Sequence, residues 1–107
     1  MFEAPGVMGQ PYTLGVWVAQ PGREDEFAAA WKELAEWTTR EVAGTASAKL
    51  LRDVADPRRF VTIGPWESLE AIDAWRALPG FAERVAAIRA ILERFEPITL
   101  ELIAEVG

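Results

Sequence analysis

The chain has 107 residues, half of them apolar and 26% charged, which is the make-up of one globular domain able to bury a single core. Its 11 basic and 17 acidic residues leave a net charge of −6, a field that repels phosphate backbones and anionic membrane surfaces, so no nucleic acid and no membrane is expected as a partner. It has no histidine and no cysteine, which excludes Ser-His-Asp and Cys-His nucleophiles and disulfides. Zinc would have to be held by carboxylates alone, and haem by Tyr12 or Met8, so neither is expected and no cofactor is assigned. Neither an export signal nor an apolar run of membrane-spanning length is legible, which makes the cytoplasm the expected location.

Residues 1–11 hold two Gly and two Pro and read as a flexible N-terminal arm, with a single domain expected over 12–107. From Tyr12 to Gln20, Leu14, Val16 and Val18 alternate with Thr13, Gly15, Trp17 and Ala19, the pattern of a strand with two distinct faces. Pro21-Gly22 breaks it, and Glu24, Asp25 and Glu26 then sit where a helix dipole favours acids. The helix is expected to run to about Val42 and end at Gly44, with Phe27, Trp31, Leu34 and Thr38 on one stripe widened by Ala30 and Trp37.

Ala46–Val54 reads as a second strand and Arg59–Trp66 as a third, joined through the Asp56-Pro57 turn into a hairpin whose Pro65 marks an end or an edge. Ser68 caps a short helix bearing Leu69, Ile72 and Trp75. After Pro79-Gly80, the spacing of Phe81, Val85, Ile88, Leu92 and Phe95 predicts a further helix stopped by Pro97. Alternation from Ile98 to Val106 predicts the last strand.

The order β-α-β-β-α(α)-β is that of an α+β, ferredoxin-like domain, with helices on one face of a four-stranded antiparallel sheet. The aliphatic set (Leu14, Val16, Val18, Val61, Ile63, Leu100, Leu102) suits the helix side, leaving Trp17, Phe60, Thr62, Trp66, Thr99, Glu101 and Ile103 on the other. A face bearing Trp and Phe is too apolar to stay wet, so a second copy is expected to cover it, giving a homodimer through the open sheet face.

The segment Trp66–Trp75 followed by Leu78-Pro-Gly-Phe81 resembles the antibiotic biosynthesis monooxygenase-like family of dimeric α/β barrels, as do the Pro21-Gly22 step and the Arg52-Asp53…Asp56-Pro57 hairpin. The likeness covers roughly residues 12–106 and implies a dimeric α/β barrel. That family holds cofactor-free oxygenases, haem degraders and isomerase-like enzymes. Two positions that often carry His are here Trp75 and Gly80, and the Asn of the oxygenases and haem degraders has no counterpart, which argues against haem degradation. Trp66 is the one family position matched residue by residue.

Trp31, Trp37 and Trp75 read as packing residues, whereas Trp17 and Trp66 either join a dimer interface or wall a pocket for a small apolar aromatic ligand. Phe60 and Thr62 share that face. Arg52, Arg58 and Arg59 form either a solvated turn or, through Arg52, a clamp for a carboxylate or phenolate. Asp53, Glu67 and Glu101 are surface acids unless buried, in which case desolvation makes any of them a general base, Glu101 foremost. Tyr12 is either a strand residue or a hydrogen-bond donor. The first function expected is a cofactor-independent monooxygenase acting on a polyketide- or quinol-type aromatic, with Glu101 and Arg52 catalytic and Trp17, Trp66, Phe60, Thr62 and Tyr12 binding substrate. The alternatives are a non-catalytic binding or accessory protein of the same fold and a carboxylate-dependent cyclase or isomerase.

Overall fold

The computed structural model describes residues 8–42 and 47–107. The elements follow in the order β1 (Pro11–Ala19), α1 (Glu24–Glu41), β2 (Lys49–Arg52), β3 (Arg59–Pro65), α2 (Leu69–Arg76), α3 (Phe81–Arg89) and β4 (Leu92–Glu101). The strands form one antiparallel sheet in the order β2-β3-β1-β4, the ferredoxin-like α+β arrangement that the sequence order predicts. Most of the expected arm, the expected start of the second strand at Ala46 and the expected helix stop at Gly44 lie outside the described residues. Next to β1, Gly9 N donates to Leu102 O and Leu102 N donates to Gln10 O, both at 2.8 Å, so the chain is tied to the residue beyond β4.

Local chemistry sets the element ends. Gly22 takes a positive φ of 81° at the turn before α1, and three acids occupy that helix's first turn. The Ser68 hydroxyl accepts from Ala71 N at 3.1 Å and starts α2. Gly80, at φ 93°, lets the chain turn from α2 into α3.

The chain's end departs from expectation. The helical spacing does not carry through to Phe95: α3 stops at Arg89, and Leu92 and Phe95 belong to β4, which ends at Glu101 rather than near Val106. Leu92 and Phe95 fit a strand because both turn toward the helices, Leu92 opposite Ala19 and Phe95 opposite Trp17. Pro97 is accommodated because β4 is an edge strand, where a missing N–H need cost no ladder bond.

A second correction concerns the sheet's faces. Trp17, Phe60, Thr62 and Trp66 do not lie on the open face; they lie under this chain's own helices. Trp17 packs on Phe27 of α1 at 5.3 Å between ring centroids, and Phe27 on Phe60 at 4.9 Å. No slip in register causes this, since the one irregularity falls beyond Trp17, between Val18 and Ala19. The cause is volume: wide rings fill the deep space between sheet and helices, while shorter Val, Leu and Ile serve a flat outer face. Tyr12, Leu14, Val16 and Val18 of β1 therefore line up with Val61 and Ile63, Leu51, and Ile98 and Leu100 on the open face. Leu51 is 51% exposed and Ile98 and Leu100 are each 41% exposed. Lys49, Arg59, Arg94 and Glu96 stand among or beside these apolar residues, the last two ion-paired.

The buried residues form two clusters. One gathers Trp17, Phe27, Leu34, Trp37, Phe60, Ile88 and Leu92, and the other gathers Val42, Trp66 and Ile72. Phe27, with no exposed surface, sits between sheet and helix in the larger cluster. Phe27→Ala is expected to destabilise the fold by about 3–5 kcal/mol, read by urea unfolding at constant m-value; a loss under about 1 kcal/mol would show that the aromatic cluster is not the anchor of α1.

Candidate ligand cavity

The helix-facing side of the sheet is unevenly filled. At one end Trp17, Ala19 and Phe60 meet α1, and at the other Trp66 meets Trp75 of α2 at 4.9 Å between centroids. Between them β1 and β3 present only Thr13, Gly15, Thr62 and Gly64, with Thr13 opposite Gly64 and Gly15 opposite Thr62. Two glycines and two threonines leave the helices nothing to pack on. The result is a cavity of about 550 Å³, floored by these residues and walled by Trp17, Trp31, Trp66, Trp75, Phe81 and Phe95.

Both of these glycines are needed as glycines although neither has a positive φ. A Cβ on Gly15 would stand 2.6 Å from Trp17 Nε1 and 2.8 Å from Thr62 Oγ1, and one on Gly64 would meet the Ser47 carbonyl at 2.5 Å. The first contact places an interaction directly over the floor: Trp17 Nε1 donates to Thr62 Oγ1 at 2.9 Å. Trp66 Nε1 donates to Thr13 Oγ1 and Trp75 Nε1 to Thr38 Oγ1, each again at 2.9 Å. Three indoles are thus fixed by threonine hydroxyls, which satisfies N–H groups that burial would otherwise leave unpaired. Ring packing fixes them further: Trp17 stacks on Phe95 at 4.2 Å, and Phe81 meets Trp75 edge-on at 4.8 Å.

The charged side chains of the lining are Lys32, Glu36 and Arg76, all exposed and therefore at the rim. Arg76 Nη2 donates to Thr99 Oγ1 at 3.4 Å. Among the described residues no carboxylate stands on the floor, and no group of three or more potential metal ligands occurs.

The residues singled out from the sequence separate accordingly. Trp17, Trp66 and Thr62 come together in the cavity wall. Phe60, 2% exposed, lies in the core against Phe27. Tyr12 lies on the opposite face, paired with Pro65 and Leu100. Glu101 is an exposed residue at the end of β4, opposite Pro11, and Arg52 is exposed at the end of β2 with its guanidinium 5.0 Å from the Phe60 ring centre; neither lines the cavity. Asp53 and Arg59 pair with each other at 3.2 Å across the hairpin, and Arg58 pairs with Glu93 at 2.7 Å. The Asp53 carboxyl is held below its ordinary value, first by the hydrogen bond from Ala55 N and then by Arg59. Thr13, Gly15, Thr38 and Trp75 are among the lining residues that sequence reasoning missed, with Trp31, Gly64, Phe81 and Phe95. Thr13 and Gly15 share the face of Trp17 along β1, so they became legible as cavity floor only once that face was known to look at the helices.

Residues 14–87 match the sequence model for antibiotic biosynthesis monooxygenase, and the chain belongs to that family. No curated protein matches it. Among solved structures, SnoaB, a cofactor-independent oxygenase from Streptomyces nogalater, superposes with a TM-score of 0.82 at 22% identity over 92% of this chain and 97% of its own. A variant of the same oxygenase gives 0.84 at 21% identity over the same shares. A conserved protein from Methanosarcina mazei Go1 gives 0.78 at 17% identity, covering 87% of this chain and 92% of that one. These structures establish a shared fold.

The Gly15 contact gives a direct test of the floor. Gly15→Ala is expected to break the Trp17–Thr62 bond and cost about 1–3 kcal/mol through overpacking. In an amide and indole correlation spectrum the Trp17 indole N–H should shift while that of Trp75 stays; an unmoved Trp17 signal would contradict this packing.

Proposed function

We propose that this chain is a cofactor-independent monooxygenase-like enzyme that oxidises a small aromatic of polyketide or quinol type, working as a homodimer through its open sheet face. The observation that carries the reading is the indole-walled cavity of about 550 Å³ between sheet and helices, a volume and lining suited to a flat aromatic ring system. Family membership supports the reaction class, and the description of SnoaB as a cofactor-independent oxygenase agrees with it. Glu101 and Arg52 do not line this cavity, so the catalytic roles considered for them from the sequence do not enter the mechanism.

With no carboxylate on the described floor, the substrate's own chemistry does the work. An electron-rich phenol or enol, once ionised, passes one electron to O₂. The radical pair joins at carbon to give a hydroperoxide, which loses water to leave a carbonyl. For an anthrone the sum is one anthrone and one O₂ giving one anthraquinone and one water. The protein's part is to hold the ring between indoles, exclude bulk water and present donors to the oxygen that carries the charge.

The open face supports the dimer. Nine apolar residues across four strands, several of them 41–51% exposed, form a patch that a second copy can cover while the neighbouring charges stay wet. Light scattering is expected to give twice 11.9 kDa. Val16→Glu, in the middle of β1, should shift the mass to the monomer; a monomeric native chain would overturn the assembly.

Oxygen-electrode assays with anthrone should show uptake of one O₂ per anthrone consumed, above the uncatalysed rate, with anthraquinone as product. Tight anthrone binding without added oxygen uptake would overturn catalysis and leave the non-catalytic binding protein.

A further inference from the structure

The three indole–hydroxyl pairs of the cavity are not equivalent. In each the indole N–H donates and the threonine oxygen accepts. An indole N–H has no lone pair to return, so every such threonine must send its own proton elsewhere. Thr38 sends its proton to the Leu34 carbonyl at 2.8 Å, which completes that hydroxyl. The hydroxyls of Thr13 and Thr62 donate to nothing among the described residues, and both line the cavity.

Their placement is set by the sheet. Thr13 and Thr62 are diagonal neighbours on β1 and β3, with Gly64 and Gly15 as their direct partners, so no side chain stands between the two on that floor; on their outer sides Thr13 pairs with Thr99 of β4 and Thr62 with Leu50 of β2. Diagonal neighbours of this kind lie roughly 7–8 Å apart. Each hydroxyl is held by an indole that is itself packed, Trp17 on Phe95 and Trp66 on Trp75.

We infer that Thr13 and Thr62 are the specificity-determining donors of this cavity: they offer two O–H groups from its floor, and so select planar aromatics that carry carbonyl or phenolate oxygens over hydrocarbons of the same outline. The inference rests on the reading of the cavity as a ligand site. It assigns the threonines to holding and orienting the ligand, not to moving a proton. Charge developing on a ligand oxygen would strengthen both hydrogen bonds.

Isothermal titration of the full chain with 1,4-naphthoquinone and with naphthalene tests it; the chain has no cysteine for a quinone to alkylate. The native chain should bind the quinone about tenfold more tightly than the hydrocarbon, the scale of one added hydrogen bond. Thr62→Val and Thr13→Val should each cost the quinone more affinity than naphthalene and so narrow that preference. Thr62→Ser, which keeps the hydroxyl, should restore it. Equal affinity for both probes in the native chain, or an equal loss for both in the valine variants, would overturn the inference while leaving the cavity as a ligand site. Failure of both probes to bind would instead overturn the ligand-site reading.

Discussion

The structure turns on side-chain volume withheld from the middle of one sheet face. Where β1 and β3 pass under the helices, Thr13, Gly15, Thr62 and Gly64 supply almost nothing to pack against. Helices need an apolar partner, so they dock at the two ends instead, on Trp17 and Phe60 at one end and on Trp66 at the other. A domain this small has little core to spare. Leaving its centre open is tolerable because aromatic rings concentrate so much buried area at the two ends.

The same constraint explains how the tryptophans are held. Large rings around an opening have fewer neighbours than rings in a filled core and would otherwise be free to collapse inward. Trp17, Trp66 and Trp75 are instead pinned through their N–H groups to Thr62, Thr13 and Thr38. Hydrogen bonds fix direction, which dispersion alone does not. Gly15 completes the arrangement, since the Trp17–Thr62 bond occupies the space a Cβ would need. The walls are thus ordered before any ligand arrives, and the cost of ordering them on binding is correspondingly small.

Much of this architecture was legible in the sequence because periodicity is a local signal. The alternation of β1, the stripe of α1, the Ser68 cap and the hairpin at Asp56-Pro57 all appear where expected. Two features were not legible, for different reasons. The helical spacing from Phe81 to Ile88 continues by coincidence to Leu92 and Phe95, and only pairing with β1 shows that those two belong to a strand. The sheet's faces were reversed because both alternating sets are apolar, so hydrophobicity alone could not choose between them. Ring size decides it, through the depth of space each face must fill. With the faces exchanged, Trp17, Trp66 and Thr62 remain together at the cavity and Tyr12 goes to the opposite face; Arg52 and Glu101 share the register of Phe60 and Pro11 on the helix side but sit at strand ends outside the cavity lining. The patch on the open face is mainly aliphatic, with Tyr12 its aromatic member.

A chain without histidine or cysteine, whose described cavity floor holds no carboxylate, is poorly equipped to move protons and well equipped to hold a ring. That balance agrees with the proposed substrate-assisted oxidation. The most direct test is a crystal structure of the chain with 1,4-naphthoquinone bound. The ring is expected over Gly15, in van der Waals contact with Trp17 and Trp66 and with an oxygen within hydrogen-bond reach of Thr62. Electron density for the ring on the open strand face, or a central cavity closed by inward movement of the tryptophans, would contradict the account.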